Sequence, residues 1–470
     1  MQNAQKIYLI GICGTAMASL AGMLREKGYR VTGSDSDVYP PMSDFLDRLA
    51  IPVFRGYSAE NIPRAQPDLV VIGNALSRGN AEVEYVLDSG IRYASMAETV
   101  KELFIRGKNS IVVAGTHGKT TTTAMLAWVL DVAGRKPSFL VGGIAENFGR
   151  SFQVSDGPDF VIEGDEYDTA FFDKGPKFLH YLPRIVLLKN IEFDHADIYS
   201  DLEALKTSFR RLINIVPRSG LIVAGVDSPV VKELIPAAFS RVATAGIGVG
   251  EWQATKIETT GEGMAFDVVR SESAVGRFTI PMPGTFNVQN ALGAIIVAKE
   301  LGIPNDVIQR GLSTFKSVKR RLEIRGEVNG VTIYDDFAHH PTAVHETLRA
   351  VRERHPRARI WAVFEPRSHT CRRRIFEDAF IQSFDPADTI VIARVYGASH
   401  LPPAETLSPD RVAEGIRGRG KRAFTFASTD EIVTFLAGEV RAGDHVVIMS
   451  NGGFDNIHNK LLERLRHVTA

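Results

Sequence analysis

Short apolar runs recur along the chain, and most of them are followed by glycine or polar residues and then by a helical pattern. Such runs are typical of strands buried on both faces of a parallel sheet, with the intervening helices covering those faces. The first example is a strand at 7–10, a glycine turn at 11–15 and a helix at 16–25. Further strands are predicted at 30–32, 69–72, 111–114, 160–162, 185–188, 331–334, 360–364, 389–392 and 445–449, and further helices at 121–133 and 291–298.

The strand and helix pattern restarts twice, first after the polar segment at 108–110 and again near Val318. A chain of 470 residues is too long for one ordinary core, and one domain per roughly 150 residues gives about three domains. We therefore predict an α/β fold with a Rossmann-like domain at 1–107, a central domain at 108–317 and a second Rossmann-like domain at 318–470. Within the central domain, residues 221–280 are expected to be more antiparallel and irregular.

Charge and composition exclude several classes of partner. Lys and Arg number 55, as do Asp and Glu, so there is no basic excess for nucleic acid or an anionic membrane. No apolar run approaches the roughly 18 residues of a membrane span, and the apolar start of the chain is too short for a signal-peptide core. Cys13 and Cys371 lack metal-type spacing and fit a reducing compartment. We expect a soluble cytoplasmic protein that acts on small molecules, with a monomer favoured.

The segment Gly115-Thr-His-Gly-Lys-Thr-Thr121 lies between a predicted strand and a predicted helix. Backbone N–H groups at such a helix start point at phosphate, and the helix dipole adds to the attraction. Lys119 supplies a charge for the β- and γ-phosphates, and the Thr120 hydroxyl suits Mg²⁺. The general P-loop pattern would place its first glycine at Val113, so this loop is shorter than the common kinase form. We expect Lys119 to be exposed and to contribute little to packing, and the alternative is an ordinary glycine-bearing helix start.

Polar residues follow two predicted strands of the central domain. Glu163 opens the acidic segment Glu-Gly-Asp-Glu-Tyr-Asp168, and His195 closes the segment Asn190-Ile-Glu-Phe-Asp-His195. Ligands of parallel α/β sheets bind outside the carboxyl ends of the strands, where the phosphate loop also lies. A carboxylate and an imidazole are therefore expected near Thr120, where their oxygen and nitrogen atoms could hold a divalent cation. The alternatives are a solvated acidic cluster and a structural histidine.

Three further motifs are Asn287-Val-Gln-Asn290, Arg320-Arg321-Leu-Glu323 and Tyr334-Asp-Asp-Phe-Ala-His-His-Pro341. Together with the preceding segments, they resemble the Mur ligase family in order and spacing over nearly the whole chain. The resemblance implies the three-domain Mur ligase architecture, with a central P-loop ATPase domain, and it implies ATP and Mg²⁺ as cofactors. The ATP-binding residues that it implies are Gly115, Thr116, His117, Gly118, Lys119, Thr120, Thr121, Asn290, Arg321 and Asp336.

The same resemblance implies individual roles. Lys119 would bind the β- and γ-phosphates, Asn290 the adenine, Arg321 the γ-phosphate and Asp336 the ribose. Thr120, Glu163 and His195 would hold Mg²⁺, and the catalytic residues would be Lys119, Glu163, His195 and Arg321. The chain departs from the family pattern at Phe286, where a histidine is usual.

The first domain allows two interpretations. Its layout of Gly11, Gly14 and Asp35 could suit a nicotinamide dinucleotide, with the carboxylate on a ribose. However, Cys13 occupies the middle glycine of that fingerprint, and a dehydrogenase has no use for the second, ATP-type loop. A non-catalytic nucleotide-binding module is disfavoured by the Glu163 and His195 pair. The family resemblance instead implies that this domain binds UDP-N-acetylmuramate, through Gly11, Gly14, Thr15, Asp35 and Asn74.

Two branches of the family remain as alternatives, one adding free L-alanine and the other adding a recycled murein tripeptide, L-alanyl-γ-D-glutamyl-meso-diaminopimelate. Segments 33–43, 72–80, 166–174 and 449–454 resemble the peptide-adding branch. The alanine-adding enzymes carry a Pro-His-Arg-Tyr-Thr-Arg type loop, whose arginines can fork onto the alanine carboxylate. Here Ser368 and Cys371 stand at those two positions, and Arg367 and Arg372 are displaced by one.

In the tripeptide, the alanine carboxylate is already an amide and needs no arginine fork. We therefore prefer the peptide acceptor, with Arg367, His369 and Arg372 as candidate peptide-binding residues. The alternative is that Arg367 and Arg372 hold free alanine after repacking. The reaction implied proceeds through an acyl-phosphate, and a site completed from a separate domain by Arg321 implies domain closure. His339, His340 and His369 are candidates by residue type for the base that deprotonates the amine.

Overall fold

The computed structural model describes residues 5–39, 42–397, 402 and 404–467, which divide into two compact units. The first unit holds the described residues up to Glu192, with Leu202–Gln253 and Leu292–Gly311. The second unit holds Phe193–Asp201, Ala254–Ala291 and the described residues from Leu312 onward. The α/β class is confirmed, whereas the domain limits after residues 107 and 317 stay predictions.

The chain begins in the first unit with a five-stranded parallel sheet. Its elements are β1 (Lys6–Ile10), α1 (Thr15–Glu26), β2 (Arg30–Asp35), α2 (Met42–Arg48), β3 (Val53–Arg55), α3 (Asn61–Ala65), β4 (Leu69–Ile72), α4 (Ala81–Ser89), β5 (Tyr93–Ser95) and α5 (Met96–Val100), followed by a π-helical turn at Lys101–Ile105. The strand order is β3-β2-β1-β4-β5, and every pairing is parallel. The order reverses at β1, so the glycine loop after β1 lies at the position where such sheets bind ligands.

A second sheet contains the predicted phosphate-loop strand. The elements up to the end of helix α10 are β6 (Asn109–Ala114), α6 (Lys119–Val132), β7 (Ser138–Ala145), β8 (Arg150–Gln153), β9 (Asp159–Gly164), β10 (Asp168–Ala170), β11 (Asp173–Pro176), β12 (Ile185–Leu188), α7 (Leu202–Asn214), β13 (Leu221–Gly225), α8 (Pro229–Leu234), β14 (Arg241–Ile247), β15 (Trp252–Thr260), β16 (Gly263–Arg270), β17 (Ser273–Ile280), α9 (Thr285–Glu300) and α10 (Asn305–Ser313), with 3₁₀ turns at Lys177–His180 and Ile235–Ala237. In the first unit, the strand order is β14-β13-β12-β6-β9-β7-β8.

The expectation of antiparallel structure at 221–280 is wrong for its first part. β13 pairs parallel with both β12 and β14, because α7 and α8 provide the crossovers that parallel neighbours need. Antiparallel pairing is seen between β16 and β17, which belong to the second unit. The parallel arrangement places β6 between β9 and β12, with Ala114 opposite both Gly164 and Leu188. The residues that follow these three strands therefore meet at one edge of the sheet.

The second unit contains a six-stranded sheet. Its elements are β18 (Glu323–Val328), β19 (Val331–Asp336), α11 (Pro341–Arg354), β20 (Ile360–Phe364), α12 (Glu377–Ser383), β21 (Thr389–Ala393), α13 (Pro409–Gly418), β22 (Arg422–Phe426), α14 (Thr429–Glu439), β23 (His445–Met449) and α15 (Ile457–His467), with 3₁₀ turns at Arg374–Phe376 and Phe454–Asn456. The order is β18-β19-β23-β20-β21-β22, in which the β18–β19 pairing is antiparallel and the other four pairings are parallel.

Helices cover both faces of this sheet. Successive residues of β20 alternate between two apolar clusters: Ile360, Ala362 and Phe364 pack with α11, α12 and α13, and Trp361 and Val363 pack with α14 and α15. A strand buried on both faces carries a continuous apolar run, which is the pattern seen in the sequence. Within the described ranges, none of the helices combines the length and apolar character that crossing a bilayer demands.

Candidate active site

The loop between β6 and α6 has a backbone shape that requires glycine. Gly115 has φ +129°, and a Cβ atom there would lie 2.7 Å from the carbonyl oxygen of Asn190. Gly118 has φ +82° and is the N-cap of α6. The Thr116 amide donates a hydrogen bond of 2.9 Å to the same Asn190 carbonyl. The loop is thus held open at the start of a 14-residue helix, with the geometry that binds phosphate.

The segment after β12 fixes the loop further. The Asn190 side-chain oxygen accepts a 2.8 Å hydrogen bond from the His117 amide. The Thr116 hydroxyl donates to the Glu192 carbonyl at 3.1 Å and accepts from the Glu192 amide at 2.9 Å. Thr116 and His117 therefore shape the loop, and Thr121 lies buried behind it on α6. Their contacts with ATP stay predictions.

Lys119 does not match the expectation of an exposed loop lysine. Its side chain is 14% exposed, and its ammonium donates to both carboxylate oxygens of Glu166 at 2.9 and 2.8 Å. It also donates to the Gly115 carbonyl at 2.8 Å. Burial by itself favours the neutral amine, but the carboxylates of Glu166 and Asp165 outweigh it and raise the pKa of Lys119. The lysine is therefore charged and directed into the loop, and it is also part of the packing there.

Thr120 and Glu163 confirm the expected proximity of a hydroxyl and a carboxylate at this edge. The Thr120 hydroxyl donates a 2.9 Å hydrogen bond to Glu163 Oε2, and Glu163 Oε1 accepts from the Gly142 amide at 2.5 Å. Two hard oxygen donors beside a phosphate loop are the donor set that Mg²⁺ prefers. These two residues therefore fit the implied ion. The third implied ligand, His195, belongs to the second unit.

Lys189 is a residue of this site that sequence reasoning missed. It follows the apolar strand β12, and a Cβ atom on Gly115 would lie 3.3 Å from its own Cβ. Burial and the charge of Lys119 lower the pKa of Lys189 to about 7. Among the described residues, its ammonium has neither a hydrogen-bond acceptor nor a carboxylate within reach. A lysine directly after a fully apolar strand, beside the phosphate loop, was the signal available in the sequence.

The glycine loop after β1 is tied to the end of β2. The amides of Gly11 and Ile12 both donate to the Ser34 carbonyl, at 2.9 and 3.0 Å. Asp35 is 8% exposed, and its carboxylate accepts from the Cys13 amide at 2.8 Å. Asp35 therefore joins the two loops at the point where the sheet order reverses.

The other residues implied for the UDP-sugar lie around this loop. Gly14 is the N-cap of α1, Thr15 is the first residue of that helix, and Asn74 lies exposed after β4. A helix N-terminus without a side-chain cap leaves amides available to an anion. Their contacts with a nucleotide sugar, and those of Gly11 and Asp35, stay predictions.

The second unit gathers several predicted histidines around one carboxylate. His195 adopts φ +56°, and its amide donates to Asp194 Oδ1 at 2.7 Å and to the Thr370 hydroxyl at 2.9 Å. Burial opposes ionisation of Asp194, but His195, His339 and His340 hold its pKa well below the usual range. The carboxylate is therefore ionised and orients this histidine-rich segment. Metal binding by His195 stays a prediction.

Asp336 lies buried at the end of β19. Its Oδ2 accepts from the Leu322 amide at 2.7 Å, and its Oδ1 accepts from the Ala338 amide at 2.8 Å. Burial raises the pKa of Asp336 even though Arg321 opposes it, and the Arg321 guanidinium lies 5.1 Å from the ring centre of Phe337. The carboxylate thus positions the loop that carries Arg321. The ribose and γ-phosphate contacts stay predictions.

Asn290 is fully buried on α9. Its amide nitrogen donates to Asn287 Oδ1 at 2.9 Å, and Asn287 in turn donates to the Pro283 carbonyl at 2.8 Å. The Asn290 side-chain oxygen, Oδ1, has no hydrogen-bond donor within the part of the chain that the structure describes. An adenine contact stays a prediction, and a buried acceptor of this kind is a group that a ligand amine can satisfy.

The loop after β20 is built around the thiol of Cys371. Its sulfur, in a residue 1% exposed, accepts the amide hydrogens of Arg367 and Ser368 at 3.1 Å each. The Cys371 amide donates to the Ser368 hydroxyl at 3.1 Å. Burial raises the pKa of this thiol to about 11, so it remains protonated. The Cys371 side chain is therefore an internal part of this loop.

Arg372 and Arg367 have different surroundings. The Arg372 guanidinium is buried, donates to the Tyr396 carbonyl at 3.1 Å and shares a 2.9 Å hydrogen bond with His369 Nδ1. Arg367 is 29% exposed and stacks on the Tyr396 ring, with its guanidinium carbon 3.7 Å from the ring centre. Peptide binding by Arg367, His369 and Arg372 stays a prediction.

Comparisons with known proteins agree with this layout. Residues 6–107 match the Mur ligase family catalytic domain, residues 113–298 the Mur ligase middle domain, and residues 320–452 the Mur ligase glutamate ligase domain. The chain is 42% identical to the UDP-N-acetylmuramate–L-alanyl-γ-D-glutamyl-meso-2,6-diaminoheptandioate ligase of Escherichia coli K12, over 98% of each chain.

Two further relatives represent the two acceptor types. The chain is 35% identical to the UDP-N-acetylmuramate–L-alanine ligase of Desulforapulum autotrophicum, over 99% of each chain. The crystal structure of a murein peptide ligase from Psychrobacter arcticus aligns with a TM-score of 0.75 and 36% identity, covering 99% of this chain and 100% of that one.

Proposed function

This chain belongs to the Mur ligase family, and we propose that it joins UDP-N-acetylmuramate to the tripeptide L-alanyl-γ-D-glutamyl-meso-diaminopimelate at the expense of ATP. The product is an amide between the lactyl carboxylate of the sugar and the amine of the alanyl residue. Such a reaction returns a peptide released from the cell wall to a nucleotide-linked precursor.

The Cys371 loop is the observation that carries the choice of acceptor. Its thiol, in a residue 1% exposed, organises the backbone of residues 367 and 368. Ser368 and Cys371 stand where the alanine-adding branch has its two arginines. Arg372, one residue later, is already engaged with Tyr396 and His369. A free alanine carboxylate has no forked arginine to receive it at these positions, whereas a peptide needs none.

The reaction proceeds in two balanced steps. An oxygen of the lactyl carboxylate attacks the γ-phosphorus of ATP, the bond to the β,γ-bridging oxygen breaks, and ADP leaves. The peptide amine then attacks the acyl-phosphate carbonyl, loses a proton, and displaces inorganic phosphate. The amides of the Gly115–Gly118 loop and the Lys119 ammonium bind the phosphates and offset the charge that spreads during transfer. Arg321 is proposed to act on the same γ-phosphate.

Thr120 and Glu163, with His195, are proposed to hold Mg²⁺. The 2.9 Å contact between the Thr120 hydroxyl and the Glu163 carboxylate supports this assignment. When bound, the ion would neutralise phosphate charge. We further propose that the protein acts in the cytoplasm, because its substrates are cytoplasmic nucleotides and both cysteines are unpaired. A monomer stays the prediction for its oligomeric state.

The direct test measures ADP release with ATP, UDP-N-acetylmuramate and one acceptor at a time, and identifies the product by mass spectrometry. The acceptors are the tripeptide, L-alanyl-γ-D-glutamate and free L-alanine. Release that depends on both the sugar nucleotide and the tripeptide supports the proposal. Release with L-alanine alone would place the chain in the biosynthetic branch, and oxidation of a nicotinamide cofactor would contradict both assignments.

A further inference from the structure

Arg367 presents an unusual combination of rigidity and unused hydrogen-bonding capacity. Within the described part of the chain, its guanidinium donates no hydrogen bond, although it carries five N–H donors in a fixed planar fork. Its nearest carboxylate oxygen is Glu365 Oε2, 3.8 Å from Nη1, which is beyond hydrogen-bond length. With 29% of the side chain exposed, the fork is accessible to a ligand.

Three elements hold this guanidinium in place. On one side it stacks on the Tyr396 ring at 3.7 Å, and the Tyr396 amide is anchored by a 3.0 Å hydrogen bond to the Pro366 carbonyl. On another side it lies against the backbone of Gly452, where an added Cβ would lie 2.1 Å from Nε. The Arg367 amide is itself fixed on the Cys371 sulfur. An arginine held in this way loses little rotamer entropy when it binds a carboxylate.

The Gly452 backbone is equally well fixed. Its amide donates to the Ser450 hydroxyl at 2.9 Å, and its carbonyl accepts from Arg320 Nη2 at 2.7 Å. The Ser450 hydroxyl in turn donates to Glu365 Oε2 at 2.6 Å. Hydrogen bonds therefore connect Glu365, which follows β20, with Ser450 and Gly452, which follow β23. Glu365 Oε2 therefore accepts its short hydrogen bond from Ser450, and its contact with Arg367 Nη1 at 3.8 Å is a long ion pair without a hydrogen bond.

We propose that Arg367 binds a carboxylate of the acceptor peptide beyond its alanyl residue, and that Tyr396 and Gly452 position it for that contact. The inference rests on the proposed function, because it needs a peptide acceptor. Arg372 has a different role, because its side chain is buried and its Nη1 and Nη2 already donate to the Tyr396 carbonyl and to His369 Nδ1 within the loop. The carboxylate belongs either to the γ-linked glutamyl residue or to the diaminopimelyl residue.

The test compares the tripeptide with two amidated analogues, one carrying a carboxamide in place of the glutamyl carboxylate and the other carrying carboxamides in place of both diaminopimelyl carboxylates. For the wild type, kcat/KM should fall on the order of fiftyfold with one analogue, which identifies the carboxylate that is read. In Arg367→Met, kcat/KM for the tripeptide should fall by a similar factor. For the analogue identified in this way, kcat/KM should stay close to its wild-type value. A protein that does not use the tripeptide at all would overturn both this inference and the proposed function.

Gly452→Ala should displace the guanidinium and reproduce the Arg367→Met selectivity. Gly453→Ala is the matched control, because a Cβ there meets no atom within 4 Å. Arg367→Lys keeps the charge without the fork and should be intermediate. Thermal melts establish that each variant is folded. The inference is overturned if an active wild type is insensitive to both amidations, or if Arg367→Met lowers kcat/KM equally for the tripeptide and both analogues.

Discussion

Lys119 and Glu166 form a buried ion pair inside the phosphate loop, with the lysine ammonium 2.8 and 2.9 Å from the two carboxylate oxygens. Glu166 is 1% exposed, so its carboxylate meets this ammonium away from solvent. The lysine that we propose to bind phosphate therefore also pairs with a buried acid. We expect variants of Lys119 to affect both activity and stability.

Lys119→Ala should lower kcat by about two orders of magnitude or more, because the transferring phosphoryl group loses its cation. It should also lower the Tm, because the buried Glu166 carboxylate loses the ammonium that pairs with it. The double variant Lys119→Ala/Glu166→Gln should recover most of the Tm while remaining inactive. ADP-release assays and thermal melts check both effects, and a folded Lys119→Ala enzyme with normal turnover would contradict the assignment.

Glu163→Ala should raise the Mg²⁺ concentration needed for half-maximal activity on the order of tenfold or more, because a hard anionic donor is lost beside Thr120. His195→Ala should have the same sign and a smaller effect. The measurement is a Mg²⁺ titration of ADP release at saturating substrates. Glu146→Ala removes an exposed acid and serves as the control. Parental titration curves for both variants would mean that the metal is held elsewhere.

Lys189→Met should raise the free energy of unfolding near pH 7. The pKa of Lys189 is about 7 in the folded protein, against an ordinary value of 10.5, so the unfolded state binds more protons between these values. The free-energy cost of burying the charged ammonium is complete below pH 7 and disappears as the pH rises toward 10.5. The gain from the substitution should therefore shrink with rising pH. Urea denaturation at pH 7, 8.5 and 10 checks this, with the exposed Lys232→Met as control.

His445→Phe should reduce the acid sensitivity of the fold. His445 stacks on His355 with ring centres 3.9 Å apart, and burial, with the neighbouring His355, lowers its pKa from 6.5 to about 4. Because the folded state takes up its proton later than the unfolded state, stability is lost as the pH falls from about 6.5 to 4. The measured difference in unfolding free energy between pH 7.5 and 5 should be smaller in the variant. The control is the exposed His467→Gln variant, whose difference in unfolding free energy between these two pH values should equal that of the parent.

The tripeptide should exceed free L-alanine in kcat/KM by at least roughly a hundredfold, because polar groups placed for distant carboxylates stay unpaired when alanine binds. Steady-state kinetics at saturating ATP and UDP-N-acetylmuramate give this ratio. Introducing arginines at Ser368 and Cys371 should disrupt the loop and abolish peptide ligation without creating alanine ligation. A parental preference for alanine would move the chain to the other branch and leave the ATP assignment intact.

Much of the fold could be predicted from the sequence because buried parallel strands carry continuous apolar runs. The strands at 69–72, 185–188, 360–364 and 445–449 coincide with those observed, and others differ by a few residues at their ends. The phosphate loop was equally visible, since Gly115 and Gly118 occupy backbone conformations that other residues rarely adopt. Residues 221–247 were misjudged because the short crossover helix α8 gives little periodic signal.

The sequence by itself determined the family, the order of the strands' apolar runs and the glycine loop between β6 and α6, because each depends on local pattern and spacing. Only the tertiary structure decided which polar groups pair. Glu166 rather than solvent neutralises Lys119, and the Cys371 thiol organises the loop after β20. The Arg367 guanidinium stacks on the Tyr396 ring without donating a hydrogen bond within the described residues, whereas the Arg372 guanidinium donates to the Tyr396 carbonyl. Such choices depend on distances between segments remote in sequence, which no local pattern records.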